Sequence, residues 1–338
     1  MILNPKVAIV ILNWNGENFL AQFLPSVFNS VYPNLEIIVG DNDSTDNSCN
    51  YLKENFPQVK IIRNEKNYGF AEGYNKVLSQ VDADYFILLN SDVEVTPNWI
   101  APIIKLMESD DLIAIAQPKI KSFVRKNYFE YAGAAGCFID RLGYPFCRGR
   151  IFDTVEEDIG QYNDTKEIFW AAGCALFIKS NVWKRVNGLD ENFFAHMEEI
   201  DLCWRVKNLG YKVMYSSEST IYHVGGGTLN AESPFKTYLN FRNNLYLIKK
   251  NIKPIKANWL IFFRFWLDFL AIIKFCIDGK FKNAWAISKA HQHVIKAFLS
   301  RKIVYNTDVT KQPNTTGMYS KSIVWQYFGL QKKKFNQL

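Results

Sequence analysis

A chain of 338 residues, 48% apolar and 15% aromatic, can bury a large core plus a smaller one, and this composition excludes a disordered protein. Its six cysteines (Cys49, Cys137, Cys147, Cys174, Cys203, Cys276) are scattered without a CxxC pair, which argues against a zinc site or a disulfide scaffold. The net charge of +7 is unevenly divided: residues 226–338 hold 19 Lys and Arg against 4 Asp and Glu, whereas residues 1–225 hold 21 against 29. Two parts so different in charge are expected to meet different partners.

The opening MILNPKVAIVILNWNG has an apolar run with no preceding basic region and no small-residue cleavage site, so it reads as the first core strand of a protein on the cytosolic side. Strands are predicted at Val7–Asn13, Leu35–Asp41, Val59–Arg63 and Tyr85–Asn90, alternating with helices at Phe19–Asn29, near Asn47–Asn55 and at Phe70–Ser79. This order implies an α/β fold, a mostly parallel sheet with helices on both faces. The turn after the first strand is NWNGEN rather than GxGxxG, which removes a nicotinamide-type dinucleotide fold.

Tyr85–Val95, YFILLNSDVEV, runs an apolar strand into Asn90-Ser91-Asp92. A carboxylate at the C-terminal edge of a parallel sheet stands where such folds hold ligands, and it suits a hard divalent cation. Asn, Ser and Asp are also ordinary turn formers. Thr96 and Pro97 read as the cap and first turn of the next helix. Beyond Pro118 the pattern loosens into a Gly-rich aromatic stretch (Tyr131–Gly149) and a polar loop (Asp153–Lys166). A strand at Ile168–Ile178, a helix at Met197–Leu209 and a strand at Lys212–Ser216 follow.

Gly225-Gly226-Gly227 and the charge shift mark a boundary, dividing the chain into 1–228 and a basic, aromatic helical region, 229–338. Within the latter, Ala257–Ile277 is long enough to span a bilayer but is interrupted by Arg264, Asp268 and Lys274. It reads as a helix lying in the interface of an anionic membrane, the other reading being a buried amphipathic helix of a soluble domain. No nucleic-acid recognition motif accompanies the basic face.

Seven stretches in order, VAIVILNWNG (Val7–Gly16), VGDNDSTDNS (Val39–Ser48), NYGFAEGYN (Asn67–Asn75), LLNSDVEV (Leu88–Val95), WAAGCALFIK (Trp170–Lys179), FFAHMEEIDLCWR (Phe193–Arg205) and YHVGGGT (Tyr222–Thr228), resemble the family 2 glycosyltransferases of the GT-A fold. Within that family the likeness is to rhamnosyltransferase-like bacterial enzymes, over roughly residues 5–250.

The resemblance implies a donor site lined by Asn13, Asn15, Asp41, Asn67, Gly69, Gly73, Asn75 and Asn90. Asp41 would accept the imide N–H of a pyrimidine; Asp43 and Asp46 are also placed to cap the next helix, a role that suits Asp46. Asn90-Ser91-Asp92 corresponds to the family's DXD motif with its first Asp replaced. Asp92 is thus the expected ligand of Mn2+ or Mg2+, together with His223. Glu199 aligns with the family's catalytic base, usually Asp; the added methylene moves its oxygens by about one bond length. Glu198 and Asp201 are the other candidates, although Asp201 can simply pair with Arg205 at i,i+4. Trp170, Gly173 and Cys174 would border the acceptor, with Cys174 a packing residue. Arg242 would reach a donor or lipid diphosphate, or remain a surface charge.

The resulting expectation is a metal-dependent inverting transferase. It would move rhamnose from dTDP-rhamnose, or a hexose from a UDP-sugar, onto a glycan or polyprenyl-diphosphate-linked acceptor at the cytoplasmic membrane face. The alternative is a catalytically degenerate GT-A scaffold that binds a glycan or protein partner, since Asn90 and Glu199 depart from the commonest pattern. A nucleotidyltransferase lacks its basic Gly-rich loop in NWNGEN, and no QxxRW motif supports a processive synthase.

Overall fold

The computed structural model describes residues 4–225, 233–300, 303–310 and 312–338. Gly226, Gly227 and Thr228, within the expected boundary and the last of the seven stretches, lie outside the described residues.

Four strands form the parallel half of a nine-stranded sheet: β1 (Val7–Asn13), β2 (Leu35–Asp41), β3 (Lys60–Arg63) and β4 (Tyr85–Leu89), in the order β3-β2-β1-β4. β1 and β4 lie at the middle of the sheet and are apolar almost throughout, because both of their faces are covered. Helices α1 (Glu17–Phe28), α2 (Ser48–Asn55) and α3 (Gly69–Leu78) connect them. The register sets Asn13 beside Asp41 and Asp41 beside Arg63, so the C-terminal edge collects polar side chains.

After the Asn90–Asp92 turn, β5 (Val93–Val95) leads to α4 (Ile100–Glu108), which begins later than the sequence suggests. Thr96 does not cap this helix: its hydroxyl donates to the Thr220 carbonyl at 3.0 Å, which makes it part of the strand exit. The other half of the sheet is mixed. It contains β6 (Ile113–Ser122), β11 (Thr165–Ile168), β12 (Ala175–Lys179) and β13 (Lys212–His223), with β12 antiparallel to both β4 and β6. A second sheet holds β7 (Cys137–Asp140), β8 (Pro145–Cys147), β9 (Arg150–Ile151) and β10 (Thr154–Val155), drawn from the stretch that looked irregular.

Two expected strands are redrawn. Ile168–Ile178 is two strands separated by Phe169–Cys174, because a continuous apolar run carries no period that shows where it turns. The strand starting at Lys212 continues past Ser216 to His223 through a register shift against β6, so its polar SSEST stretch is an irregularity rather than an end. The extension matters for the site: β13 pairs with β5 so that His223 stands opposite Val93, next to Asp92.

Helices α5 (Ser180–Arg185) and α6 (Glu198–Asn208) precede β13, and α7 (Pro234–Asn251), α8 (Pro254–Ile277) and α9 (Phe281–Leu299) follow it. The chain then returns to add β14 (Met318–Tyr319) beside β7, and the backbone N–H of the fully buried Ile323 donates to Asp140.

The polarity of α8 is inverted. Arg264 and Asp268 point inward and are buried, whereas Trp259, Phe262, Phe263, Trp266, Phe269 and Leu270 are exposed. Asp268 accepts from His291 of α9 at 2.9 Å and from Tyr144 at 3.3 Å, while Arg264 donates to the Leu142 carbonyl and Asn244. Two of the charges that interrupt the apolar run, Arg264 and Asp268, therefore tie α8 to the protein, whereas Lys274 is exposed and pairs with Asp278. Among the described residues no helix is long and apolar enough to cross a membrane.

Candidate active site

The C-terminal edges of β1 and β2 hold two buried acceptors that lack a donor. Asn13 gives its amide N–H groups to Ser44 and Ser48, at 3.2 and 3.0 Å, and its Oδ1 has no partner. Asp41 is equally buried, and its Oδ1 is also unpartnered. A buried acceptor without a donor is costly, so the pair favours a ligand that brings N–H or O–H groups to this edge. Asn15, in the left-handed region at φ 50°, accepts from Thr45 N at 2.7 Å and joins the first turn to the loop after β2. Asp46 accepts from Glu17 N and Ser48 N, serving the starts of two helices.

Several residues of NYGFAEGYN are engaged by the protein itself, although Asn67 stays exposed. Asn67 accepts from Asn42 and from Gly69 N, and Asn75 exchanges two hydrogen bonds with the Leu189 backbone. Gly73 packs against Leu12 and Asn42. Gly69 has φ +75°, and a Cβ there would lie 2.6 Å from the Phe194 ring, so this glycine admits the loop that carries Phe194.

At the end of β4, Asn90 N donates to the Cys174 carbonyl at 3.0 Å, which joins the Asn90–Asp92 turn to the crossing segment. Asp92 is buried, and its Oδ1 lies 3.1 Å from His223 Nε2. Burial opposes the Asp92 charge, but His223 outweighs it and holds the carboxyl below its ordinary range. The other ring nitrogen of His223 faces Glu130 Oε1 at 3.5 Å. Burial disfavours the imidazolium, yet the neighbouring acidic groups raise it well above the ordinary histidine value. Burial also raises the adjacent Cys174 thiol. Glu130 is a site residue that the sequence did not reveal. Its only signal was an acid immediately before the aromatic, Gly-rich stretch.

Two ligand atoms bound to one hard cation at right angles, each about 2.1 Å away, stand roughly 3 Å apart. The spacing of Asp92 Oδ1 and His223 Nε2 fits two such neighbouring positions once a cation displaces the proton that the two atoms share. Among the described residues no group of three His, Cys, Asp or Glu is arranged to hold a metal, so the other positions would fall to diphosphate oxygens and water, the usual arrangement for Mg2+.

Across the Gly173–Cys174 segment stands the start of α6. A Cβ on Gly173 would come within 3.7 Å of the Glu199 Cβ and 3.6 Å of Phe70, so the missing side chain leaves room beside Glu199. Burial pushes the Glu199 carboxyl from 4.5 up to about 7, although first-turn N–H groups pull it down, and its Oε2 has no partner. Glu198 is buried and is likewise raised, by burial and by the Glu199 charge. Asp201 is not brought to this space. Its carboxylate is taken by Arg205, Lys250 and Asn251, at 2.7, 2.8 and 2.8 Å. Trp170 is likewise buried, donating from Nε1 to the Phe138 carbonyl at 2.9 Å.

The loop before α6 is strained, with Phe194, His196 and Met197 at φ 65°, 68° and 75°. Two residues of α7 hold it. Asn243 donates to the carbonyls of Phe193, Ala195 and His196, and Arg242 to those of Asn192 and Phe193. Arg242 Nε also donates to Asn243 Oδ1 at 2.7 Å and so orients the amide. Arg242, expected at a diphosphate, is engaged with the loop that presents Glu198 and Glu199. Burial, aided by the charge of Lys236 in the first turn of α7, lowers His196 to about 4.

The model of glycosyl transferase family 2 matches residues 8–182, more than half of the chain. The chain belongs to this family. As a glycosyltransferase it is 21% identical over 242 residues to the N-acetylglucosaminyl-diphospho-decaprenol L-rhamnosyltransferase of Mycobacterium tuberculosis, covering 64% of this chain and 75% of that protein. It is 31% identical over 125 residues to an uncharacterized glycosyltransferase of Haemophilus influenzae, covering 36% of this chain and 39% of that one. Among solved structures, a mannosyltransferase from Pyrobaculum calidifontis in complex with GDP-Man and Mn2+ superposes with a TM-score of 0.54 at 12% identity, over 88% of this chain and 76% of that one. At that identity the likeness is one of fold, and the fold is GT-A.

Proposed function

We propose that this glycosyltransferase inverts configuration by direct displacement, with Glu199 as the base and a divalent cation held by Asp92 and His223. The carrying observation is adjacency at Gly173–Cys174: Gly173 packs beside Glu199, and Cys174 accepts from Asn90 at the start of the turn that carries Asp92. A carboxyl at about pKa 7 is well matched to taking a proton from an acceptor hydroxyl at neutral pH. When bound, the cation supplies Lewis-acid stabilisation to charge developing on the departing diphosphate.

On this reading Asp41 and Asn13 accept from the donor nucleotide, and their partnerless oxygens support that use. Asn90 presents a neutral side chain at the same edge. A pyrimidine nucleoside diphosphate sugar, dTDP-rhamnose or a UDP-hexose, is the donor. The acceptor is a growing glycan on a polyprenyl diphosphate, a proposal that takes its support from the decaprenol-linked relative. The exposed aromatic face of α8 and the basic character of residues 226–338 support peripheral attachment to the cytoplasmic membrane face.

Transfer from dTDP-[14C]rhamnose and UDP-[14C]hexoses to membrane lipid extract, with and without Mn2+, tests the reading in the wild type and in Glu199→Gln. Undiminished transfer by Glu199→Gln removes Glu199 from the chemistry, and transfer unaffected by chelation removes the cation.

A further inference from the structure

We propose that the groove between the first turns of α7 and α9 binds the isoprenoid diphosphate of the acceptor. This rests on the lipid-linked reading above and specifies where the lipid lies. The groove encloses about 630 Å³, within the range of about 300–1,000 Å³ typical of small-molecule sites. Phe235, Tyr238, Phe281 and Trp285 supply apolar walls, while Lys282 and Lys289 add two ammonium groups. Apolar walls with a paired positive charge complement an amphiphile that has an apolar tail and a dianionic or trianionic head.

Its two ends point to the same occupant. At one end the Phe235 ring meets Phe194 at a centroid distance of 6.4 Å, and Phe194 belongs to the strained loop that presents Glu198 and Glu199. Phe235 also stacks on Tyr238, at 6.3 Å and 22°, which continues the aromatic surface along α7. At the other end Phe281 and Trp285 are 66% and 65% exposed, and a short turn joins α9 to the C-terminus of α8, whose outer face is aromatic. A lipid diphosphate held in the groove would lie beside the loop that presents Glu198 and Glu199, with the α8–α9 turn leading from it to the surface on which α8 lies. A soluble sugar acceptor would need neither the apolar walls nor the continuity with α8.

The test is equilibrium binding of radiolabelled farnesyl diphosphate to the full chain, with farnesol, inorganic diphosphate and phosphatidylglycerol vesicles as competitors. Lys282→Glu/Lys289→Glu and Trp285→Ser, at lysines on the groove rim and an exposed tryptophan, are expected to weaken binding at least tenfold. Trp259→Ser/Phe263→Ser, on the outer face of α8, should leave it within twofold. Inorganic diphosphate or farnesol alone should compete poorly, because each offers half of the ligand. Equal binding by the groove variants, no binding by the wild type, or full competition by vesicles would overturn the proposal. Thermal stabilisation by UDP or dTDP with Mn2+ is measured on the same samples. If it persists while farnesyl diphosphate fails to bind, the groove is wrong and the transferase reading stands.

Discussion

Asn243 Nδ2 lies 2.7 Å from the carbonyl oxygen of His196, two residues before the first glutamate of α6. A single amide on α7 thereby holds the backbone that aims the acidic pair. The carbonyls it serves belong to a loop with three non-glycine residues at positive φ, a conformation that persists only when its surroundings enforce it.

Asn243→Ala should therefore lower kcat by about 10- to 100-fold, since a displacement of about 1 Å at a reacting group is enough for that loss. Donor KM should change little, because the clamp does not touch the β1–β2 edge. Lost hydrogen bonds to three carbonyls should cost about 1–3 kcal/mol of stability, read by urea denaturation. A kcat equal to wild type would show that the loop holds without its clamp.

Glu199→Gln should reduce transfer by at least about 10²-fold, the usual scale for loss of a general base. The wild-type rate should rise with pH through about 7 as the carboxyl ionises. Stability should follow the opposite course. The folded-state pKa is raised above the ordinary 4.5, so the contribution is complete below pH 4.5 and is lost as pH rises through about 7. Melting temperatures of Glu199→Gln relative to wild type should thus gain most between those values; an unchanged difference would contradict the raised pKa.

Asp92→Asn and His223→Ala should each abolish the Mn2+-dependent part of thermal stabilisation by UDP or dTDP. A ligand that binds only the folded state raises the melting temperature by mass action. Retention of the full metal-dependent shift in both variants would place the cation elsewhere.

Asp268→Ala should destabilise the protein by about 3–5 kcal/mol, because it leaves Arg264 buried with its counter-ion removed. Arg264→Met/Asp268→Leu should recover much of that loss in a denaturant titration, since it removes both charges together.

Trp259→Ser/Phe263→Ser/Trp266→Ser should weaken co-sedimentation with anionic vesicles at least tenfold and change stability by only about 0.5 kcal/mol, as the three side chains are exposed. Substitution is preferable to truncation near residue 250, which would also remove β14 from the second sheet. Undiminished co-sedimentation would detach α8 from the membrane role.

The parallel half of the fold was legible because VAIVILN, LEIIVGD and YFILL are apolar strands bounded by clear turn residues. Asp92 with His223 was legible as a motif pair, although only the β5–β13 register explains why they meet. The second sheet was not legible, since strands of two to four residues such as β9 and β10 carry too few positions to show alternation. Glu130 was hidden because its partner is distant in sequence, and Asn243 because its acceptors are backbone atoms. In α8 the interruptions at Arg264, Asp268 and Lys274 were visible, but not which of them turn inward. That Asp268 faces His291 and Tyr144 needed the fold.

β14 gives the small sheet a history as well as a shape. Strand β7 is synthesised long before Met318 and Tyr319 reach it, and on a growing polypeptide the Ile139–Asp140 part of its outer edge has no neighbour. An uncovered strand edge is a site where nascent chains pair with one another. On the ribosome, then, the parallel half can form early, whereas the sheet containing Cys137 and Cys147 is completed only when residues past 318 emerge. Chains stalled after α9 would be released with that edge bare, which makes them the natural clients of chaperones and proteases.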